Sequence, residues 1–146
     1  MSETSAKARS VVVEREIPHP PEKVWRALTQ PHLIEEWLMK NDFVPVVGHR
    51  FNLQADQPHW KMMLDCEVLA VEPNKKLSYT WNFASDDAAL SLKSVVTWTL
   101  TRTSTGTRLC MEQSGFRPDQ RQAYGGASAG WPRFLAALEQ VLARID

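Results

Sequence analysis

The chain has 146 residues, 43% of them hydrophobic and 23% charged, which is enough for one domain with one sizeable core. Its 17 Lys+Arg balance 17 Asp+Glu, which argues against a nucleic-acid or anionic-membrane protein, since both need a basic surplus. No apolar run approaches the ~20 residues of a membrane helix, and the start, MSETSAKARS, lacks the apolar centre of a secretory signal. With only Cys66 and Cys110, neither a disulfide framework nor a metal knuckle is indicated. The expectation is a reduced, cytoplasmic protein without a cofactor: a disordered lead-in over 1–10, then a single domain over 11–146.

RSVVVEREI (9–17) is rich in β-branched residues and fits a strand. In PPEKVWRALT, Pro21 suits the first helical position and Glu22 the positive end of the helix dipole. Val24, Trp25 and Leu28 share a face there. Pro31 restarts the chain, and Leu33, Ile34, Trp37 and Leu38 make a second apolar face. The residues before the two prolines are Pro20 and Gln30, where Asp or Ser would cap better. Neither helix is long enough to stand alone, so both must pack on something.

The middle of the chain reads as strand after strand. GHRFNLQA (48–55) alternates Phe51 and Leu53 with polar residues. HWKMMLDCEVLAVEP sets Trp60, Met62, Leu64, Cys66 and Val68 against Lys61, Met63, Asp65 and Glu67. PNKK (73–76) is a turn. KLSYTWNF carries an apolar face of Leu77, Tyr79, Trp81 and Phe83, and SDDAA (85–89) is a polar loop. LSLKSVVTWTLTR sets Leu92, Val96, Trp98 and Leu100 against a threonine-rich face, and STG (104–106) turns into TRLCMEQSGF. Short connections predict an antiparallel meander of about six strands. Its apolar face needs a cover. Trp131, Phe134, Leu135, Leu138, Leu142 and Ile145 form one helical stripe able to supply it. The phase extends back through Tyr124, so the helix is expected to begin near Asp119 despite Gly125, Gly126, Gly130 and Pro132. Pro132 removes a backbone donor and should kink the helix near Ser128.

This order resembles the START-like superfamily, also called SRPBCC, and within it the bacterial relatives of the heat-shock-protein-90 ATPase activator C-terminal domain. PPEKVWRALTQPHLIEEWL, NDFVPVVGHRF, EVLAVEPNKKLSYTW, SVVTWTL, GTRL, SGF and the GW before the spaced leucines carry the resemblance from about Val11 onward. It implies an α+β helix-grip (START/Bet v-like) fold, a curved antiparallel sheet wrapped around a long C-terminal helix. A ligand cavity should then lie between sheet and helix. The eukaryotic activator owes its chaperone role partly to another domain, which this short chain is expected to lack.

Six tryptophans (25, 37, 60, 81, 98 and 131) are many large rings for one domain, and an aromatic-lined cavity is one place for them. The residues assigned to its wall are Trp37, Phe43, Phe51, Met62, Leu64, Trp81, Trp98, Met111, Phe116, Tyr124, Gly126, Gly130, Trp131 and Phe134. Alternatively the same rings fill a dry core, and the glycines allow close helix–sheet packing. For catalysis, no His stands in a recognisable arrangement with Ser or Cys. His59, Glu67 and Asp65 are the weak candidates for a general base, with the two carboxylates on the outer face by alternation. GGASAG lacks the lysine of a phosphate loop, and no cluster has metal-ligand spacing. Cys66 and Cys110, without flanking cations, read as structural thiols. The leading function is binding of a small apolar or aromatic molecule. The alternatives are a chaperone or homodimer contact, and a cyclase or dehydratase acting on a polyketide-like substrate.

Overall fold

The computed structural model describes residues 9–57, 60–84 and 91–146. The expected lead-in up to residue 8, the 85–89 loop, His59 and the Trp60 side chain lie outside the described residues. Strand β1 (Arg9–Ile17) is followed by α1 (Pro21–Thr29) and α2 (Pro31–Trp37). Then come β2 (Lys40–Asn41), β3 (Arg50–Gln57), β4 (Trp60–Glu72), β5 (Lys76–Phe83), β6 (Leu92–Arg102), β7 (Thr107–Phe116) and α3 (Arg121–Arg144). The seven strands form one antiparallel sheet in the order β1-β7-β6-β5-β4-β3-β2. Strands β2 to β7 are thus a meander, and the α1–α2 pair carries the chain from one sheet edge to the other. This is the curved-sheet, long-helix arrangement of the helix-grip α+β fold.

Both short helices start on proline without a side-chain cap. Pro20 O accepts from the amides of Lys23 and Val24, and Gln30 O from those of Leu33 and Ile34. Trp37 Nε1 donates to Ala27 O at 2.8 Å, which locks α2 against α1. Alternation then sorts the strands by face. In β6 the side chains of Leu92, Ser94, Val96, Trp98 and Leu100 are all buried. Gly115, at φ 111°, lies so near β6 that an added Cβ would meet Lys93 O at 2.8 Å. Only glycine fits such an approach.

Helix α3 begins at Arg121, two residues later than expected. A turn occupies the difference: Gln120 N donates to Arg117 O, and the Gln120 side chain accepts from Arg117 N. From there the helix continues unbroken through all three glycines and Pro132. Trp131, Leu135, Leu138, Val141 and Leu142 are buried on it, while Phe134 and Ile145 are half-buried. The helix lies against α1, α2 and β1, and Arg144 pairs with Glu36 of α2.

Candidate functional site

An apolar cavity of about 690 Å³ opens between the sheet and the first half of α3. The sheet side is built from Met62 and Leu64 of β4, Trp81 and Phe83 of β5, Leu92 of β6 and Gln113 of β7. These positions converge because each is an inward step of its strand's alternation. Met39, just beyond α2, closes one side. From α3 come Gln122, Ala123, Gly126, Ala127, Gly130, Trp131, Arg133 and Phe134. The glycines do not bring the helix closer to the sheet. An added Cβ at Gly125 or Gly126 would meet nothing within 4 Å, and one at Gly130 would only touch Phe134 at 4.0 Å. The space they leave is open.

Of the residues assigned from sequence, Met62, Leu64, Trp81, Gly126, Gly130, Trp131 and Phe134 stand in this wall. The others lie elsewhere. Phe43, Phe51 and Tyr79 form an edge-to-face cluster, with centroids 5.0 Å apart for Phe43–Phe51 and 5.4 Å for Phe51–Tyr79. Trp37 meets Trp98 edge-on at 5.6 Å, and Trp98 in turn meets Trp131 at 5.7 Å. Trp98, Met111 and Phe116 have no exposure at all and form the packed floor of the core. Tyr124 sits edge-on to Phe116, donates to Ser10 O at 3.3 Å and carries the Arg9 guanidinium over its ring. Alternation assigns a residue to a face but not to a depth, so packed rings and wall rings could not be separated.

Met39, Phe83, Leu92 and Gln113 were missed as wall residues. Gln113 had a signal in the sequence, being the polar member of the inward series Leu109, Met111, Gln113. Its side chain, only 1% exposed, is held by a directional chain of hydrogen bonds. Trp131 Nε1 donates to Gln113 Oε1 at 2.6 Å, and Gln113 Nε2 donates to Ser94 Oγ at 3.0 Å. Ser94 Oγ passes the chain on to Trp81 O at 2.6 Å. Indole N–H can only donate, which fixes which end of the amide is oxygen.

Asp65 and Glu67 lie on the opposite face of the sheet, in a polar groove of about 500 Å³ with Arg50, Asn52, Thr80 and Asn82. Asn52 Nδ2 donates to Asp65 at 2.8 Å, Arg50 lies 3.8 Å from Glu67, and Glu67 N donates to Thr80 Oγ1 at 2.8 Å. Cys66, between the two carboxylates in sequence, points into the core. Burial, with the nearby Asp65 charge, pushes its thiol up to about 12. Burial likewise raises the Tyr79 phenol, whose oxygen accepts from Trp98 Nε1 at 2.9 Å. His19 is lowered, by burial and then by Lys23, whose Nζ lies 3.2 Å from its Nδ1. Among the described residues no group of three His, Cys, Asp or Glu could hold a metal, and no helix is long and apolar enough to cross a membrane.

Protein MLL2253 from Mesorhizobium loti has a similar crystal structure at 73% identity and a TM-score of 0.90, over 94% of this chain and 99% of that one. DynU16, described as a putative protein in the dynemicin biosynthetic locus, is similar at 27% identity and a TM-score of 0.76; the match spans 92% of this chain but 47% of DynU16. CalU16 from Micromonospora echinospora shares the fold at 22% identity and a TM-score of 0.76, over 97% of this chain and 81% of CalU16. No curated protein matches the chain. The family model for activator of Hsp90 ATPase homolog 1-like proteins matches residues 18–143. With the helix-grip fold and the motif order pointing the same way, the chain belongs to the activator of Hsp90 ATPase homolog 1-like family of START-like proteins.

Proposed function

We propose that this protein binds a small, largely apolar molecule in the cavity between its sheet and α3. The observation that carries the reading is the pair of glycines, Gly126 and Gly130, that α3 contributes to the cavity wall. Each glycine costs a helix roughly 1 kcal/mol relative to alanine. Close packing against the sheet would explain that cost, but an added Cβ at Gly126 meets no neighbour and one at Gly130 only touches Phe134 at 4.0 Å. What the small residues keep is open volume beside Trp81, Trp131 and Phe134. A cavity of about 690 Å³ with apolar walls and few polar groups also suits a small organic ligand.

Thermal unfolding with and without 2-methylnaphthalene tests this reading. Ligand present at 100 times its dissociation constant should add about 2.7 kcal/mol of stability. Gly126→Leu and Gly130→Leu, which fill the opening, should abolish that gain while the proteins still fold cooperatively. A wild-type protein whose unfolding is unmoved by 2-methylnaphthalene would contradict it, as would leucine variants that bind as before.

A further inference from the structure

We propose that the Gln113 side-chain amide is the polar anchor of this cavity, and that the ligand is an uncharged, mostly apolar molecule with one carbonyl or hydroxyl oxygen at its buried end. The proposal rests on the ligand-binding reading and adds the chemical class. Among the described residues three polar side chains stand in the wall: Gln122, Arg133 and Gln113. The first two are exposed at the helix surface, and only Gln113 is buried.

A primary amide carries two N–H donors and two acceptor lone pairs. In Gln113 the protein uses one of each: Oε1 accepts from Trp131, and Nε2 donates to Ser94. Among the described residues nothing engages the second N–H or the second lone pair. The amide cannot turn over to change this, because Trp131 Nε1 can only donate and Ser94 already donates to Trp81 O. One N–H and one lone pair are therefore held ready beside an apolar space. A ligand carbonyl would accept from the N–H, and a hydroxyl could also donate to Oε1. Among the described residues an ionised group there would lose its hydration with no buried cation to meet it, because Arg133, the cation among them, is exposed. The chemistry selects a neutral oxygen on an apolar body.

The matched pair 2-naphthol and 2-methylnaphthalene, equal in shape, tests the anchor when each is titrated calorimetrically into wild type and Gln113→Leu. The ratio of dissociation constants, naphthol over methylnaphthalene, should rise about tenfold in the variant. An unchanged ratio, with methylnaphthalene still binding, would overturn the anchor and leave the cavity reading standing. If neither probe binds wild type, both fall together. Gln113→Leu also strips Trp131 of its acceptor and could fail to fold, so a second measurement uses the wild type alone. The side-chain NH₂ resonance of Gln113 in a ¹⁵N-labelled sample should move with 2-naphthol and far less with 2-methylnaphthalene. Equal movement with both would overturn the proposal.

Discussion

Tyr79 and Trp98 form a buried hydrogen bond in otherwise apolar surroundings, with the indole N–H donating at 2.9 Å. Tyr79→Phe keeps the ring and its contacts with Phe43 and Phe51 but removes the acceptor. An indole N–H left buried without a partner costs about 1–3 kcal/mol, so urea unfolding should report a loss of that size. Cys66 gives a pH signature. Its thiol holds its proton up to about 12 in the folded chain, against an ordinary value of 9.0. Above about pH 9 the unfolded chain has lost a proton that the native chain retains, so the unfolded state gains in stability as pH rises. Tyr79 is raised for the same reason and acts in the same direction. We expect the melting temperature to fall steadily between about pH 9 and pH 12, and less steeply in Cys66→Ala. Equal slopes in both proteins would contradict the burial argument for the thiol.

At the scale of the element, α3 combines two demands. Its C-terminal half covers the sheet with Leu135, Leu138, Val141 and Leu142, while its N-terminal half spends propensity on open space. Replacing Gly125 with alanine should therefore stabilise the fold, by about 0.5–1 kcal/mol, because the new methyl group collides with nothing. Pro132→Ala restores a donor to the carbonyl of Ser128 and should add up to about 3 kcal/mol. Denaturant titration checks both, and a loss of stability in either would mean that the first half of α3 is held by packing. The stripe from Trp131 onward was legible because 3.6-residue periodicity is strong over four turns. The starting residue was not, since the preceding turn is closed by Gln120's own side chain, a choice that periodicity does not register. Val141 joined the buried face unannounced, a helix face against a sheet being wider than a single row of residues.

Across the whole molecule, the antiparallel meander followed from alternation, turn residues and short connections, whereas the crossing of the two short helices from one sheet edge to the other did not. The two faces of the sheet were also readable: Asp65 and Glu67 stand on the outer side, as the pattern required. Depth was not readable. Trp81 and Trp98 come from equivalent inward steps of neighbouring strands, yet one borders open space while the other has no exposure. The difference comes from what α2 and α3 lay over each strand, with Trp37 covering Trp98 and the glycine segment standing over Trp81. No local pattern encodes such a pairing of distant elements. Gln113 escaped for a related reason: a polar residue at an inward position reads as an irregularity until its partners, Ser94 and Trp131, arrive from β6 and α3.

The most direct test of the central claim is a methyl-resolved NMR titration of the protein with 2-methylnaphthalene. Ligand bound under α3 should shift the methyl signals of Met39, Met62, Leu64 and Leu92, which line the cavity, and leave those of the exposed Val44, Val46 and Val47 in place. Saturable shifts confined to the first set are the expected result. Shifts confined to the exposed valines, or none at saturating probe, would contradict a ligand site between sheet and helix.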